Sequence, residues 1–320
     1  MLRTTVRLLT AVVSLTAVLA GPVLAQDYPN RPIRVIVGFP AGSSIDVNLR
    51  TFAPALEKVL KVPIVIENRP GAGGAVAWTD VATAKPDGYT LGSVNYPAIA
   101  GVTATGGLPF DPLGKFEFLG NIIYEPNIIA VGKSSPYKSL PEMVDYLKAN
   151  PSGLSYGSDG IASLDGLVAL AVGSRAGVKF RSVNFQGSSD ALAALLGGHI
   201  NAMGMAVSMA VPLIQSGDVR AMGVGGSERN PLLPDVPTFA EQGIPLDVNA
   251  SSRGFITQAA VDPAVIAKLR DAIRTAHADP EYVANAKKMS QAIRHIPAED
   301  VRADIQKQIE FIKTVVPPKK

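Results

Sequence analysis

Apolar positions change their spacing repeatedly along the chain, and the changes mark out its elements. Ile33-Arg34-Val35-Ile36-Val37 is β-branched and reads as a buried strand. Gly38, Pro40 and Gly42 break it. Ile45, Leu49, Phe52, Leu56 and Val59 then recur at helical spacing. Ser43 or Ser44 can cap that helix, and Asp46 stands where a capping box needs an acid. Pro54 falls inside the helix and predicts a kink.

The same alternation continues. Strands are expected at 62–67, 89–94, 116–123, 127–132, 154–158, 182–185, 200–206, 219–224 and 248–257. Helices are expected at 75–84, 139–150, 163–176, 189–196 and 298–312, with two more opening at Asp262-Pro263 and Asp279-Pro280. Strands alternating with helices imply βαβ units and mostly parallel sheets. Tyr124-Glu125-Pro126 and Gly225-Gly226 are read as two crossings between lobes. The expected fold is therefore α/β, with residues 26–124 and 226–320 in one lobe, 125–225 in the other, and a ligand cleft between them.

Composition narrows the class. With 47% hydrophobic and 18% charged residues, the 320-residue chain can bury a large core. Residues 1–25 read as a signal peptide: Arg3 and Arg7, then an apolar run from Leu8 to Ala20, then Val23-Leu24-Ala25 as a cleavage site. Removing them leaves 28 basic and 27 acidic side chains, a formal charge of +1. No basic run suggests nucleic acid or a membrane surface. There is no cysteine, hence no disulfide and no thiol for a lipid anchor. An exported protein, soluble in the periplasm or outside the cell, is expected, with Pro317-Pro318-Lys319-Lys320 as a frayed tail.

The candidate chemistry lies in strand-to-helix loops. The first N–H groups of a helix have no internal partner and carry partial positive charge, so they suit an anion. Phe39 to Asp46 is one such loop, Gly157 to Asp165 a second, and Gln186 to Asp190 a third. Three loops spread over both lobes point to an anionic ligand between them. Gly71-Ala72-Gly73-Gly74 fits neither a Walker loop nor a dinucleotide fingerprint and reads as tight packing. Trp78 reads as core. Gly153-Leu154-Ser155-Tyr156-Gly157 matches the nucleophile elbow of hydrolases, but Ser155 falls inside a strand rather than on the turn after it. A secreted serine hydrolase using Ser155 is thus the weaker, enzymatic alternative. His199, His277 and His295 are scattered, and no metal-ligand spacing is present.

Longer matches give the chain a family resemblance. Tyr28-Pro29-Asn30-Arg31-Pro32-Ile33-Arg34, Glu67-Asn68-Arg69-Pro70-Gly71-Ala72-Gly73-Gly74 and Pro86-Asp87-Gly88-Tyr89-Thr90-Leu91 resemble the tripartite tricarboxylate transporter solute-binding receptors, the Bug family. Leu195-Leu196-Gly197-Gly198 and Leu233-Pro234-Asp235-Val236-Pro237-Thr238 do so as well. The resemblance implies a two-lobed periplasmic binding protein without catalysis or cofactor. It also implies a small organic carboxylate as ligand and the membrane subunits of a transporter as partners. A carboxylate sensor serving a signalling partner is the other reading, and a monomer is expected. In such receptors a ligand carboxylate is held mainly by loop N–H groups. Carried onto this chain, the binding residues would be Phe39, Ala41, Gly42, Ser43, Ser44, Asp46, Asn95, Ser158, Ser163, Asp165 and Gly187.

The chain departs from the family pattern at several points. Ala41 and Ser43 replace a proline and a glycine, Gly166 replaces a histidine, and Asn184-Phe185-Gln186-Gly187 replaces Pro-Tyr-Lys-Gly. Ser252-Arg253 replaces Ser-Trp. Arg253 is therefore a candidate clamp for a second carboxylate, with a solvated strand arginine as the alternative.

Overall fold

The computed structural model describes residues 28–316, apart from 159, 161, 162, 186, 247 and 290. The expected signal peptide, the C-terminal tail at 317–320 and Gln186 lie outside the described residues.

Among the described residues nine strands are joined by hydrogen bonds, eight along one path and the ninth branching from it. β1 (Ile33–Val37) lies between β2 (Ile64–Asn68) and β3 (Thr90–Asn95), parallel to both. β9 (Ala250–Gln258) runs antiparallel to β3 and to β4 (Phe116–Gly132). Beyond β4 come β7 (Ala202–Ala206), β5 (Ser155–Ser158) and β6 (Arg181–Asn184), with β8 (Val219–Val224) also against β4. β5 is parallel to β6 and β7, while β4 is antiparallel to β7 and β8. Each half therefore has one reversed strand, β9 in the first and β4 in the second. β1, β2 and β3 run parallel to one another, as do β5, β6 and β7, the arrangement βαβ units produce.

β4 differs from expectation in one respect. Instead of two short strands, it is a single strand of 17 residues. Its first part pairs with β9, ending at Pro126 opposite Ala250. From Asn127 onward it pairs with β7 and β8. Pro126 has no N–H to offer a ladder, which the switch of partners tolerates. The Asn127 N–H donates to the Asn249 carbonyl at 3.0 Å and the Asn127 carbonyl accepts from the Gly225 N–H at 2.8 Å.

Alternate residues of these strands feed opposite cores. Val35 and Val37 pack under α1 (Ser44–Leu60), α9 (Pro263–His277) and α10 (Pro280–Lys288). Ile36 packs on the other face with α2 (Ala75–Thr83), α3 (Tyr96–Ala104) and α11 (Ala298–Val315). In the second half, Ile129 and Val131 meet α5 (Leu140–Ala149) and α6 (Leu164–Ala176). Ile128 and Ala130 meet α7 (Ser188–Leu196) and α8 (Val207–Gln215). A four-residue helix, α4 (Pro112–Lys115), precedes β4.

Three of the described helices escaped the sequence reading, the four-residue α4 and two longer ones. α3 is apolar all round and wedged against Val301, Ile305 and Ile309 of α11, so it carries no amphipathic stripe. α8 contains Pro212. By contrast, α1 continues unbroken through Pro54, held by the burial of Phe52, Ala53 and Leu56 on either side. Phe239, Ile244 and Leu246, expected in the first lobe, belong to the core of the second sheet with Ile129 and Met222.

Candidate functional site

The loop after β1 is held from within. Ser43 is the N-cap residue of α1, yet its side chain makes no capping bond and its Oγ is buried without a partner. The expected capping box is not formed. Asp46 instead accepts from the Gly42 N–H at 2.9 Å, one residue earlier than a capping box requires. It also accepts from Asn68 Nδ2 at 2.9 Å and from Arg50 Nε at 3.0 Å. Asn68 Nδ2 donates in turn to the Phe39 carbonyl at 3.0 Å. Burial pushes the Asp46 pKa up, but the bonds from Arg50, Gly42 and Asn68 outweigh it and hold the carboxyl below its usual range. Asp46 is thus a loop holder, 1% exposed, with its oxygens already engaged.

The other glycine loop packs against this one. A Cβ on Gly38 would stand 2.7 Å from the Gly74 Cα, so the two loops touch backbone to backbone. Gly74 also takes a φ of +105° beneath the fully buried Trp78 ring.

In the second half, Ser163 caps α6, accepting from the Gly166 N–H at 3.1 Å and donating to the Gly160 carbonyl at 2.7 Å. Asp165 accepts from Asn127 Nδ2 at 2.7 Å. Gly187 caps α7 with extended backbone and no side-chain bond.

A cavity of about 910 Å³ lies between the two halves. Phe39, Ser44, Asn95, Ser163, Asp165 and Arg253 line it, six of the twelve expected residues. Ala41, Gly42, Ser43, Asp46, Ser158 and Gly187 do not, although Ser188 beside Gly187 does. Ser158 lines a separate hollow of about 620 Å³. Five helices begin at the cavity wall: α1 at Ser44, α3 at Asn95, α6 at Ser163, α7 at Ser188 and α8 at Ala206. Their unpaired N–H groups and dipoles favour negative charge there. Pro97, Ala98, Val102, Leu164, Met209 and Val316 add an apolar wall.

Arg253 is not a solvated strand arginine. Its side chain is 11% exposed, with Nη1 donating to Asn48 Oδ1 at 2.7 Å and lying 3.6 Å from Glu125 Oε2. Burial disfavours its charge, and the Glu125 carboxylate acts against that. Glu125 accepts a short bond from Ser208 Oγ.

Glu125, Asn127, Ser208 and Ser251 also line the cavity and were missed. A signal existed for two of them. Glu125 and Asn127 interrupt the largely apolar stretch from Ile122 to Val131, and such side chains are seldom buried in a strand unless something pairs with them.

Ser155 is 2% exposed and tied to Asn201, donating from Oγ to Oδ1 at 2.8 Å and accepting from its N–H at 3.0 Å. It is the first residue of β5, at the strand's start rather than on the turn after it, and has a structural partner. Among the described residues, no cluster of His, Asp or Glu could hold a metal ion, and no helix is long and apolar enough to cross a membrane.

Comparison with known proteins adds identity to this geometry. The family described as "Tripartite tricarboxylate transporter family receptor" matches residues 48–317. A Cupriavidus necator relative, the UPF0065 protein in the gbd 5′ region, is 34% identical over 81% of this chain and 78% of its own length. BugT of Bordetella pertussis is 31% identical over 82% and 81%. Among solved structures, a TctC solute-binding protein from Polaromonas superposes with a TM-score of 0.83 at 28% identity, covering 90% of this chain and 99% of that one. MatC of Rhodopseudomonas palustris with bound malate gives 0.69 at 27% identity, covering 89% and 100%. An R. palustris protein with adipate gives 0.70 at 25%, covering 90% and 98%. The chain belongs to the tripartite tricarboxylate transporter receptor family, two-lobed α/β solute-binding proteins rather than enzymes.

Proposed function

We propose that this protein captures a small organic carboxylate in the cavity between its lobes. It then delivers the ligand to the membrane subunits of a tripartite tricarboxylate-type transporter. The convergence of five helix N-termini on a cavity of about 910 Å³ carries the reading, because that arrangement rewards an anion from several sides at once. The malate and adipate of the two R. palustris relatives are consistent with it. In this reading the chain is exported, loses residues 1–25 and works in the periplasm as a monomer. One lobe comprises residues 26–126 and 250–320 and the other 127–249. This moves the return crossing from 225–226 to 249–250, because Phe239, Ile244 and Leu246 pack on the second sheet.

A thermal-shift screen against mono-, di- and aromatic carboxylates tests the capture step. A ligand at a hundred times its Kd adds about 2.7 kcal/mol of stability, a readily measured rise in Tm. The absence of any rise across the panel refutes carboxylate capture. Transport is tested by deleting the gene in its host. Uptake of the identified carboxylate falls with the receptor reading and stays unchanged with a signalling role.

A further inference from the structure

The charge inside the cavity does not match a ligand that is simply anionic. Among the described residues, its charged side chains are Glu125, Asp165 and Arg253, two carboxylates against one guanidinium. Arg253 is already engaged by Asn48 and Glu125. A second ligand carboxylate aimed at Arg253 would meet the Glu125 carboxylate beside it, and like charges within a few ångströms oppose one another strongly away from water.

The uncharged polar atoms point the same way. Asn127 is 2% exposed, and its Oδ1 has no partner. Its orientation is not arbitrary. Nδ2 donates to the Asp165 carboxylate at 2.7 Å, a group that only accepts when ionised, so the amide oxygen is left free to accept. Ser251 is 7% exposed with an unpartnered Oγ, and Asn95 Oδ1 is also buried without a partner. Two of these atoms share a strand face with Glu125. Glu125 and Asn127 are two residues apart on β4, and Ser251 stands directly opposite Glu125 on β9. The patch thus gathers acceptors around one carboxylate, and an ammonium with its three N–H donors is the group that fits them.

We infer that the ligand is an amino-carboxylate, its carboxylate held at the helix N-termini and its protonated amine read by Glu125 and Asn127. This rests on the proposal of carboxylate capture and narrows it. Glu125 serves as the discriminating residue: it welcomes the ammonium and repels a second carboxylate. Ser208 orients Glu125 through its short bond to Oε1, while Arg253, 3.6 Å from Oε2, holds the carboxylate from its other side.

Calorimetry on three matched series tests this. The series are unbranched chains of two to eight carbons ending in a methyl group, a second carboxylate or an ω-amine. The native protein is expected to bind its best ω-amino acid at least tenfold more tightly than the dicarboxylate of the same length. Glu125→Gln, which keeps the side-chain shape, is expected to lower amino-acid affinity tenfold or more and to raise dicarboxylate affinity. The double variant Glu125→Gln/Arg253→Gln leaves no unpaired cation and serves if the single variant fails to fold. It is expected to bind amine and methyl ends within about threefold of each other. A native protein that prefers dicarboxylates, or an amine preference that survives Glu125→Gln, overturns the inference while leaving carboxylate capture standing. No binding by any of the three series overturns the inference as well, while carboxylate capture falls only if the wider thermal-shift panel also shows no rise.

Discussion

Arg253 and Glu125 stand on adjacent antiparallel strands with their charged ends 3.6 Å apart and each side chain 11% exposed. Glu125 reaches on to Ser208 in α8, and Arg253 to Asn48 in α1. One polar chain therefore runs from a helix of the second half, through β4 and β9, to a helix of the first.

Arg253→Ala strands the Glu125 carboxylate in a buried place. Truncating one member of such a pair costs about 3–5 kcal/mol, more than the pair itself contributes. Urea unfolding is expected to show that loss, and Arg253→Lys a smaller one, because an ammonium keeps the charge beside Glu125 but does not reproduce the planar guanidinium whose Nη1 meets both Asn48 and Glu125. Unchanged unfolding midpoints in both variants would mean that the pair contributes nothing.

Asp46→Asn tests the loop that follows β1. The substitution keeps the shape and removes the charge that Gly42, Asn68 and Arg50 hold. The expected loss at pH 7 is about 1.5–3 kcal/mol, the range for a hydrogen bond to a charged group. Because the folded-state pKa lies below the ordinary value, this stability is present above about pH 4. It fades as pH falls through the folded value. Native and variant proteins should therefore converge in acid, and a gap that stays constant with pH contradicts the assignment.

His277 predicts a second pH dependence of different origin. Its ring is 9% exposed, and burial, then the nearby His295, push its pKa down from 6.5 to about 4. Between those values the unfolded chain binds a proton that the folded one does not. Stability is therefore expected to rise with pH from about 4 to 6.5 and to level off above, by at most about 3 kcal/mol. His277→Gln should flatten that part of the urea-midpoint profile. A profile identical to that of the native protein would assign the slope elsewhere.

Closure of the lobes around the ligand should be visible in solution. In the proposed lobe division the chain passes between halves at Pro126-Asn127 and near Asn249-Ala250, and the Asn127 N–H donates to the Asn249 carbonyl at 3.0 Å, tying those two segments together. A narrow, paired connection of this kind suits a hinge. Small-angle scattering is expected to give a smaller radius of gyration with any carboxylate that raises Tm. An unchanged radius at saturation argues for a cavity already closed without ligand.

Much of the fold was legible locally. β1, α1 and the glycine loop between them follow from Ile33 to Val59, because a change from alternation to helical spacing is written in neighbouring residues. The loops after β1 and β5 were found for the same reason. The site was legible only in part. Phe39, Ser44, Asn95, Ser163, Asp165 and Arg253 reach the cavity, but Asp46 turned inward to Gly42 and Asn68. A helix N-terminus can be read from sequence, but the direction its first acid takes depends on which strand lies beneath it.

The alternation of most strands and helices, the strand-to-helix loops and the absence of cysteine chemistry belong to the sequence alone, since each depends on residues close together in the chain. Three features came only with tertiary structure. The continuity of β4 through Tyr124-Glu125-Pro126 depends on β9 offering partners at Ser251 and Ser252. The residence of Phe239, Ile244 and Leu246 in the second core depends on packing with residues from distant parts of the chain, Ile129 among them, 110 positions before Phe239. The pairing of Arg253 with Glu125 brings together side chains 128 positions apart, and no periodicity or spacing encodes such a contact. It arises because two antiparallel strands place those residues on one buried face, where a charge without a partner is costly.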